Sequence, residues 1–251
     1  MPVAGSGEGV GLVLIHGAGH TAACWQPTVT ELARSVPELP VMAVDLPGRG
    51  DTPEDLRQVT VQRCAEHVVE RVEAASLDRI VVVAHSMGAL TVPSITARLG
   101  GRRIAATVLV AALLPPDGAS VLDTLRGPAR RIVARQSRHG LPRRRPHRVV
   151  ARWMFCNGMT RPQRELVLAQ RCDESSRMDR APIRSAGVLD PARTAWVLPR
   201  RDRTVRPRTQ RATIERLGIV DVTEVDAGHD VMVSHPQVLA SVLKRHAGSP
   251  R

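Results

Sequence analysis

The stretch VAHSMG (residues 83–88) stands between an apolar run, Ile80–Ala84, and an apolar segment with helical spacing, Ala89–Leu99. Its pattern is that of a nucleophile elbow, in which a serine in a sharp turn joins a buried strand to a helix. The turn brings two backbones close together, so the residues two before and two after the serine must be small. The stretch therefore predicts that Ser86 is a nucleophile at the end of a buried strand.

The chain on both sides of this turn alternates between short apolar runs and segments with helical spacing. The runs that predict strands are Val10–Ile15, Val41–Val44, Ile80–Ala84, Ile104–Leu113, Ala195–Leu198 and Val220–Val225. The segments that predict helices are Trp25–Val36, Val59–Leu77, Ala89–Leu99, Pro207–Leu217 and Pro236–Arg245. Such alternation predicts an α/β fold, in which a mostly parallel sheet is covered by helices on both faces.

The middle of the chain departs from this rhythm. Residues 114–193 contain proline and arginine clusters such as LPRRRP (residues 141–146), with helical spacing only at Val149–Phe155 and Arg161–Cys172. A structureless loop of this length is improbable inside a compact domain. We therefore predict that residues 1–113 and 194–251 form the core and that residues 114–193 form a helical cap inserted into it.

The charge balance raises the question of nucleic-acid binding. The 251 residues carry a net charge of +12, yet all basic residues except Lys244 are arginine, and aromatic residues make up only 2%. Proteins that bind single strands usually combine basic residues with aromatic rings on which bases stack. Arginine-driven nucleic-acid binding is therefore an alternative here and not the main expectation. The hydrophobic share of 43% excludes a wholly disordered chain.

Targeting and redox signals are weak. No apolar stretch approaches the roughly 20 residues that span a bilayer, and the first residues, MPVAGSGEGVG, lack the features of a signal peptide. We therefore expect a cytoplasmic protein without membrane association. Its four cysteines are far apart and form no CxxC motif, so we expect reduced thiols and no metal site.

A serine nucleophile needs a base, and the base needs an acid that orients it. His229 follows the last predicted strand, and Asp202 lies in the turn after the preceding strand. Because the carboxyl ends of parallel strands meet at one edge of the sheet, we predict Ser86, His229 and Asp202 as nucleophile, base and acid. Asp226 and Asp230 are rival acids, although they are too close to His229 in sequence to reach its ring easily.

Acyl transfer also needs backbone N–H groups that point at the developing oxyanion. HGAG (residues 16–19) forms a glycine-rich turn after the first strand. We predict that the amides of Ala18 and Met87 donate to the oxyanion, because Met87 directly follows the nucleophile and Ala18 lies in this turn.

At this point the chain resembles the α/β-hydrolase superfamily over nearly its whole length, and more narrowly the group of plant methylesterases and hydroxynitrile lyases with their bacterial relatives. The matching stretches are LVLIHGAGHTAACW (12–25), AVDLPGRGDT (43–52), VVVAHSMGAL (81–90), LLPPDG (113–118), WVLPRRDRTV (196–205) and DAGHDVMVSHPQVLASVL (226–243). The resemblance implies an α/β-hydrolase fold with a small helical cap, a small ester or thioester as substrate and no cofactor. It assigns the same roles to Ser86, His229, Asp202, Ala18 and Met87. A homodimer is a further expectation from the group.

Two positions separate the branches of this group. The lyases have a threonine where this chain has Gly17 and a lysine where it has Asp230. Both departures favour ester hydrolysis through an acyl-enzyme. A lyase or cyclase that uses His229 and Ser86 for proton transfer stays an alternative, as does a non-catalytic binding protein. Arg49, or an arginine of the predicted cap, could hold a carboxylate of the substrate, although a solvated arginine run is the simpler interpretation.

Overall fold

A six-stranded parallel sheet forms the centre of the molecule in the computed structural model, which describes residues 10–138, 140–185 and 187–248. The strands are β1 (Val10–Ile15), β2 (Val41–Val44), β3 (Arg79–His85), β4 (Ile104–Val110), β5 (Thr194–Pro199) and β6 (Asp221–Val225). Their order in the sheet is β2-β1-β3-β4-β5-β6, and every neighbouring pair is parallel. The predicted α/β fold is confirmed, and each predicted strand is present.

The helices of the described residues alternate with these strands as predicted. They are α1 (Gln26–Ser35), α2 (Val61–Ala74), α3 (Val92–Leu99), α4 (Val121–Thr124), α5 (Gly127–Gln136), α6 (Arg148–Phe155), α7 (Arg161–Ala169), α8 (Arg177–Arg180), α9 (Pro207–Leu217), α10 (Val231–Ser234) and α11 (Pro236–Ala247). The helix predicted over Ala89–Leu99 begins later, because residues 86–91 form a 3-10 helix first. The α2 helix begins at Val61, where the Thr60 side chain caps the backbone N–H of Arg63.

Both faces of the sheet are covered by apolar side chains. Successive residues of a strand point to opposite faces, so Val13 and Ile15 join one core cluster and Leu12 and Leu14 join the other. The first cluster includes buried residues of α2 and α3, and the second includes buried residues of α1 and α11. This arrangement explains why the central strands read as continuous apolar runs in the sequence.

The segment between β4 and β5 (residues 111–193, here the β4–β5 segment) contains helices α4–α8. Phe155 and Val167 of this segment join one core cluster, while Met178 and Ile183 join the other. The segment is therefore packed against the rest of the molecule through its own buried side chains. The predicted helices at Val149–Phe155 and Arg161–Cys172 correspond to α6 and α7.

The four cysteines are free thiols, as expected from their spacing. In the described part of the chain, no helix combines the length and the apolar character that crossing a bilayer requires. The cytoplasmic location stays a prediction.

Replacing Leu14 by alanine tests the core. Leu14 is 0% exposed, so Leu14→Ala is expected to lower the free energy of unfolding by about 2–5 kcal/mol. The same change at Leu141, which is 55% exposed, is expected to stay within about 0.5 kcal/mol. Urea unfolding followed by circular dichroism measures both, and equal shifts would contradict the assignment of Leu14 to the core.

Candidate active site

The turn after β3 is as sharp as the sequence predicts. Ser86 has a φ of 51°, in the left-handed region that non-glycine residues rarely adopt. A Cβ placed on Gly88 would lie 2.6 Å from the carbonyl oxygen of His16, and one placed on Gly17 would lie 2.7 Å from the Cβ of Ser86. The β1 loop (residues 16–20) therefore presses directly against the turn, and only glycine fits at these two positions.

The structure brings Ser86, His229 and Asp202 together in one chain of hydrogen bonds. Ser86 directly follows β3, Asp202 lies in the turn after β5, and His229 lies in the loop after β6. Oγ of Ser86 lies 3.0 Å from Nε2 of His229, and Nδ1 of His229 lies 2.8 Å from Oδ2 of Asp202. All three residues are buried, so the hydrogen bonds between them are shielded from water.

The carboxylate of Asp202 is fixed by further donors. Oδ1 accepts the backbone N–H groups of Thr204 and Val205 at 2.7 and 2.9 Å, and Oδ2 accepts Nε2 of Gln210 at 2.9 Å. Gln210 is itself held because its Oε1 accepts the indole N–H of Trp196 at 3.0 Å. These bonds leave Oδ2 of Asp202 directed at the imidazole of His229, with its charge compensated by donors.

Asp202 also determines the proton affinity of His229. Burial alone would lower the pKa of His229, but the charge of Asp202 and the hydrogen bond to it outweigh burial, so the pKa is raised above its ordinary value. Nδ1 of the neutral ring donates to the carboxylate, which leaves Nε2 free to accept the hydroxyl proton of Ser86. This geometry would allow His229 to take a proton from Ser86, and the charge of Asp202 would stabilise the imidazolium that results.

The β1 loop contains Ala18, one of the two residues whose amides are predicted to donate to the oxyanion. In the described residues, no protein acceptor is bonded to the N–H of Ala18, whereas the N–H groups of Gly19 and His20 both have acceptors. The N–H of Met87 belongs to the first turn of the 3-10 helix at residues 86–91, where amides lack partners within the helix. Ala18 thus lies in the β1 loop with an N–H that is unbonded within the described part of the chain, and Met87 directly follows Ser86 in the 3-10 helix.

His16, another histidine at a strand end, has a structural role. Its Nε2 accepts the backbone N–H of Leu46 at 3.0 Å, which requires a neutral ring. Burial and the charge of Arg49 lower the pKa of His16 to about 3, in agreement with that state. His16 thus joins the β1 loop to the loop after β2, and it is not placed to act as a base.

A second buried polar cluster lies beside His229. Nε2 of His20 lies 3.0 Å from Oδ2 of Asp230, and Nη1 of Arg171 lies 2.9 Å from Nδ1 of His20. Nε2 of His85 lies 3.3 Å from the carbonyl oxygen of His229 and 3.7 Å from Oδ1 of Asp230. Burial lowers the pKa of both His20 and His85. Nε2 of His20 donates to Asp230, while its Nδ1 lies 3.1 Å from the carbonyl oxygen of Ala18 as well as close to Arg171.

The two rival acids, Asp226 and Asp230, contact other side chains. Asp230 is paired with His20, and this contact holds the pKa of Asp230 well below its usual range although burial opposes the shift. Asp226 is an exposed partner of Arg201, at 3.2 Å. Asp202 is thus the candidate acid that the structure brings to the imidazole of His229.

Three side chains at this site have the atoms of a metal ligand set, namely His85, His229 and Asp230, within 4.8 Å of one another. Both ring nitrogens of His229 are already hydrogen-bonded, to Ser86 and Asp202, and Nε2 of His85 contacts a backbone carbonyl. These three side chains are therefore close together because they belong to the polar network, and we assign no metal to them.

Several residues of the site carried no signal in the sequence. Gln210 lies inside α9 and looks like an ordinary helical residue, while Arg171 and Glu174 lie in the irregular middle of the chain. Arg49 is not placed to bind substrate, because it is buried and forms an ion pair with Glu174. Trp153 is 58% exposed and therefore does not pack inside the β4–β5 segment. Its neighbour Phe155 is buried instead, with its ring centroid 5.7 Å from that of His229.

Comparison with known proteins agrees with the fold. The chain matches the model of the alpha/beta hydrolase family over residues 12–242 and belongs to this family. This membership supports an enzyme of the hydrolase class. Short stretches align with two relatives: 84 residues are 31% identical to (E)-2-((N-methylformamido)methylene)succinate hydrolase of Acinetobacter baylyi, and 85 residues are 34% identical to human protein phosphatase methylesterase 1. The alignments cover 34% and 32% of this chain but only 31% and 22% of those proteins.

Solved structures are similar over almost the whole chain. An extracellular α/β-hydrolase from a Paenibacillus species has a TM-score of 0.80 at 19% identity, covering 96% of this chain and 100% of the other. The methylesterase MES16 from Arabidopsis has a TM-score of 0.74 at 17% identity, with coverage of 94% and 98%. A pyrethroid hydrolase from Sphingobium faniae has a TM-score of 0.75 at 20% identity, with coverage of 96% and 98%. At these identities the similarity concerns the fold.

Asp202→Asn tests the raised pKa of His229. The neutral amide no longer stabilises the imidazolium, so the fall of kcat/KM on the acid side should move to lower pH. The rate itself should fall by up to about 10⁴-fold, because the amide no longer fixes the correct tautomer. The measurement is the pH profile of hydrolysis of a p-nitrophenyl ester.

Asp226→Asn is the matched control, because Asp226 is exposed and has no contact with the ring of His229. Its pH profile should equal that of the unmodified protein. An unchanged profile in Asp202→Asn would contradict the role assigned to Asp202.

Proposed function

We propose that this hydrolase is a serine esterase that cleaves a small carboxylic ester or thioester through an acyl-enzyme. The observation that carries the proposal is the buried chain of hydrogen bonds from Ser86 through His229 to Asp202, with distances of 3.0 and 2.8 Å. A serine hydroxyl is a weak nucleophile until an adjacent base takes its proton, and the base works only in the tautomer that its acid selects. Ser86, His229 and Asp202 meet both requirements.

In the first half-reaction, Oγ of Ser86 attacks the carbonyl carbon of the ester while Nε2 of His229 takes the hydroxyl proton. The carbonyl oxygen becomes an oxyanion, which the amides of Ala18 and Met87 stabilise. The C–O bond to the leaving group then breaks, His229 returns the proton to that group, and the alcohol departs. For a thioester the C–S bond breaks and a thiol departs. The acyl group stays on Ser86 as an ester.

In the second half-reaction, His229 takes a proton from a water molecule, whose oxygen attacks the acyl carbon. The oxyanion forms again at the same two amides. It collapses when the bond to Oγ of Ser86 breaks, and His229 returns the proton to the serine. The carboxylic acid is released and the enzyme is regenerated, so no cofactor is required.

We assign the β4–β5 segment the role of a cap over this site. Ser86 is only 5% exposed, and Phe155 and Arg171 of the segment lie beside His229 and His20. A covered site excludes bulk water and strengthens electrostatic stabilisation of the oxyanion. It also favours small substrates. Ester cleavage agrees with the names of the Arabidopsis methylesterase and of the human protein phosphatase methylesterase.

Two observations favour hydrolysis over lyase or cyclase chemistry. A side chain at position 17 would collide with Ser86, because the added Cβ would lie 2.7 Å from its Cβ. A threonine hydroxyl therefore has no room there. Where the lyases have a lysine, this chain has Asp230, which is fully buried and paired with His20. No cation therefore faces a substrate from this position.

Labelling with phenylmethylsulfonyl fluoride tests the nucleophile. We expect one sulfonyl adduct per chain, located on Ser86 by mass spectrometry, and a parallel loss of p-nitrophenyl acetate hydrolysis. Ser86→Ala should neither be labelled nor hydrolyse the ester. Ser241→Ala, which changes an exposed serine of α11, should behave like the unmodified protein.

Ester turnover in Ser86→Ala close to that of the unmodified protein would remove Ser86 as nucleophile. Tight binding of an ester without turnover or labelling would indicate a binding protein. C–C cleavage or ring closure without ester hydrolysis would indicate the lyase or cyclase alternative.

A further inference from the structure

Three residues of the β4–β5 segment contact the β1 loop, and we call residues 171–174 the clamp. Oε2 of Glu174 accepts the backbone N–H of Gly19 at 3.0 Å. The backbone N–H of Cys172 donates to the carbonyl oxygen of Gly19 at 3.1 Å, and its thiol donates to that of His20 at 3.4 Å. Nη1 of Arg171 lies 2.9 Å from Nδ1 of His20. The clamp therefore bonds to both the backbone and the side chains of the loop.

The contact leaves little room for a side chain at position 19. Gly19 has a φ of +62°, and an added Cβ would lie 2.8 Å from Nη2 of Arg171 and 3.1 Å from the carbonyl oxygen of Cys172. The backbone conformation therefore favours glycine, and a larger residue would also force the clamp to shift. The position of the clamp sets the position of this part of the loop.

The charged side chains of Arg171 and Glu174 are buried. Glu174 is 4% exposed and forms an ion pair with Arg49, which is 3% exposed. Arg171 is 7% exposed; its Nη1 contacts the ring of His20, and its guanidinium carbon lies 3.9 Å from the centroid of the Phe155 ring. Moving Glu174 would leave the buried charge of Arg49 without its partner, which is strongly unfavourable. The clamp is therefore held in one arrangement.

The loop that the clamp holds carries the amide of Ala18. The next amide, that of Gly19, is taken by Glu174, while the N–H of Ala18 has no protein acceptor among the described residues. The loop also packs against the nucleophile, because a Cβ on Gly17 would lie 2.7 Å from that of Ser86. A displacement of Gly19 would therefore move the Ala18 amide relative to Ser86.

We propose that Glu174 and Arg171 are positioning residues for the oxyanion hole, so that the β4–β5 segment completes the site by placing the amide of Ala18. The inference rests on the proposed function, in which Ala18 and Met87 stabilise the oxyanion. A donor aimed at the oxyanion acts on the transition state more than on the bound ester. Loss of the clamp should therefore lower kcat and leave KM nearly unchanged.

The test compares Glu174→Gln with Glu165→Gln, the same change at an exposed glutamate of α7. The substrate is p-nitrophenyl acetate, and the inhibitor is an aryl trifluoromethyl ketone, whose carbonyl carbon bonds to Oγ of the serine and forms a tetrahedral oxyanion. For Glu174→Gln we expect kcat to fall by about 10²-fold, as for a catalytic group displaced by about 1 Å. The inhibition constant of the ketone should rise by the same factor, and Glu165→Gln should change neither value.

Two variants of Arg171 test the same inference if Glu174→Gln does not fold. Arg171→Met should lower kcat and the affinity for the ketone together, whereas Arg171→Lys keeps a charged donor near His20 and should recover most of both. Circular dichroism checks folding in each case. Equal behaviour of Glu174→Gln and Glu165→Gln would overturn the inference, as would a rise in KM at constant kcat or a loss of kcat without weaker ketone binding.

Failure of the proposed function can be distinguished from failure of the positioning role. If the unmodified protein neither hydrolyses the ester nor is labelled at Ser86, the esterase proposal itself fails. If it does both and the clamp variants match their controls, only the positioning role of Glu174 and Arg171 is wrong.

Discussion

The left-handed backbone of Ser86 is the constraint on which the site depends. A non-glycine residue in this region costs about 1–3 kcal/mol, and the surrounding structure must supply that energy. Here the strain is held between buried strand β3 and the β1 loop, which approaches so closely that Gly17 and Gly88 have no room for a Cβ. The same close approach packs the loop that carries Ala18 against the turn that carries Met87.

Two chains of buried polar groups meet at His229. One runs from Ser86 through His229 and Asp202 to Gln210, and the other runs from Arg171 through His20 to Asp230, the residue after His229. The buried carboxylate of Asp202 accepts several hydrogen bonds and that of Asp230 accepts one from His20, which lowers the cost of burying these charges. The first chain sets the tautomer and the raised pKa of His229. The second connects the β4–β5 segment to the core next to that base.

The positive charge of the chain has two different roles. Some arginines of the β4–β5 segment pair with acids at the surface, as Arg148 does with Glu165, or are fully solvated. Arg49 and Arg171 are buried, and each contacts a partner beside the β1 loop. Composition alone cannot separate these groups, because an arginine in a structural ion pair and a solvated arginine look identical in a sequence.

The sequence by itself determined the alternation of strands and helices, the elbow at Ser86, and the positions of Asp202 and His229 at strand ends. These features follow from local patterns, and the parallel sheet then places all carboxyl ends at one edge. Only the tertiary structure decided that Gln210 fixes Asp202, that Asp230 binds His20, and that Glu174 holds Gly19, 155 positions away in the chain. Such pairs are set by the packing of distant segments around buried charges, and neither periodicity nor turn chemistry encodes which partners meet.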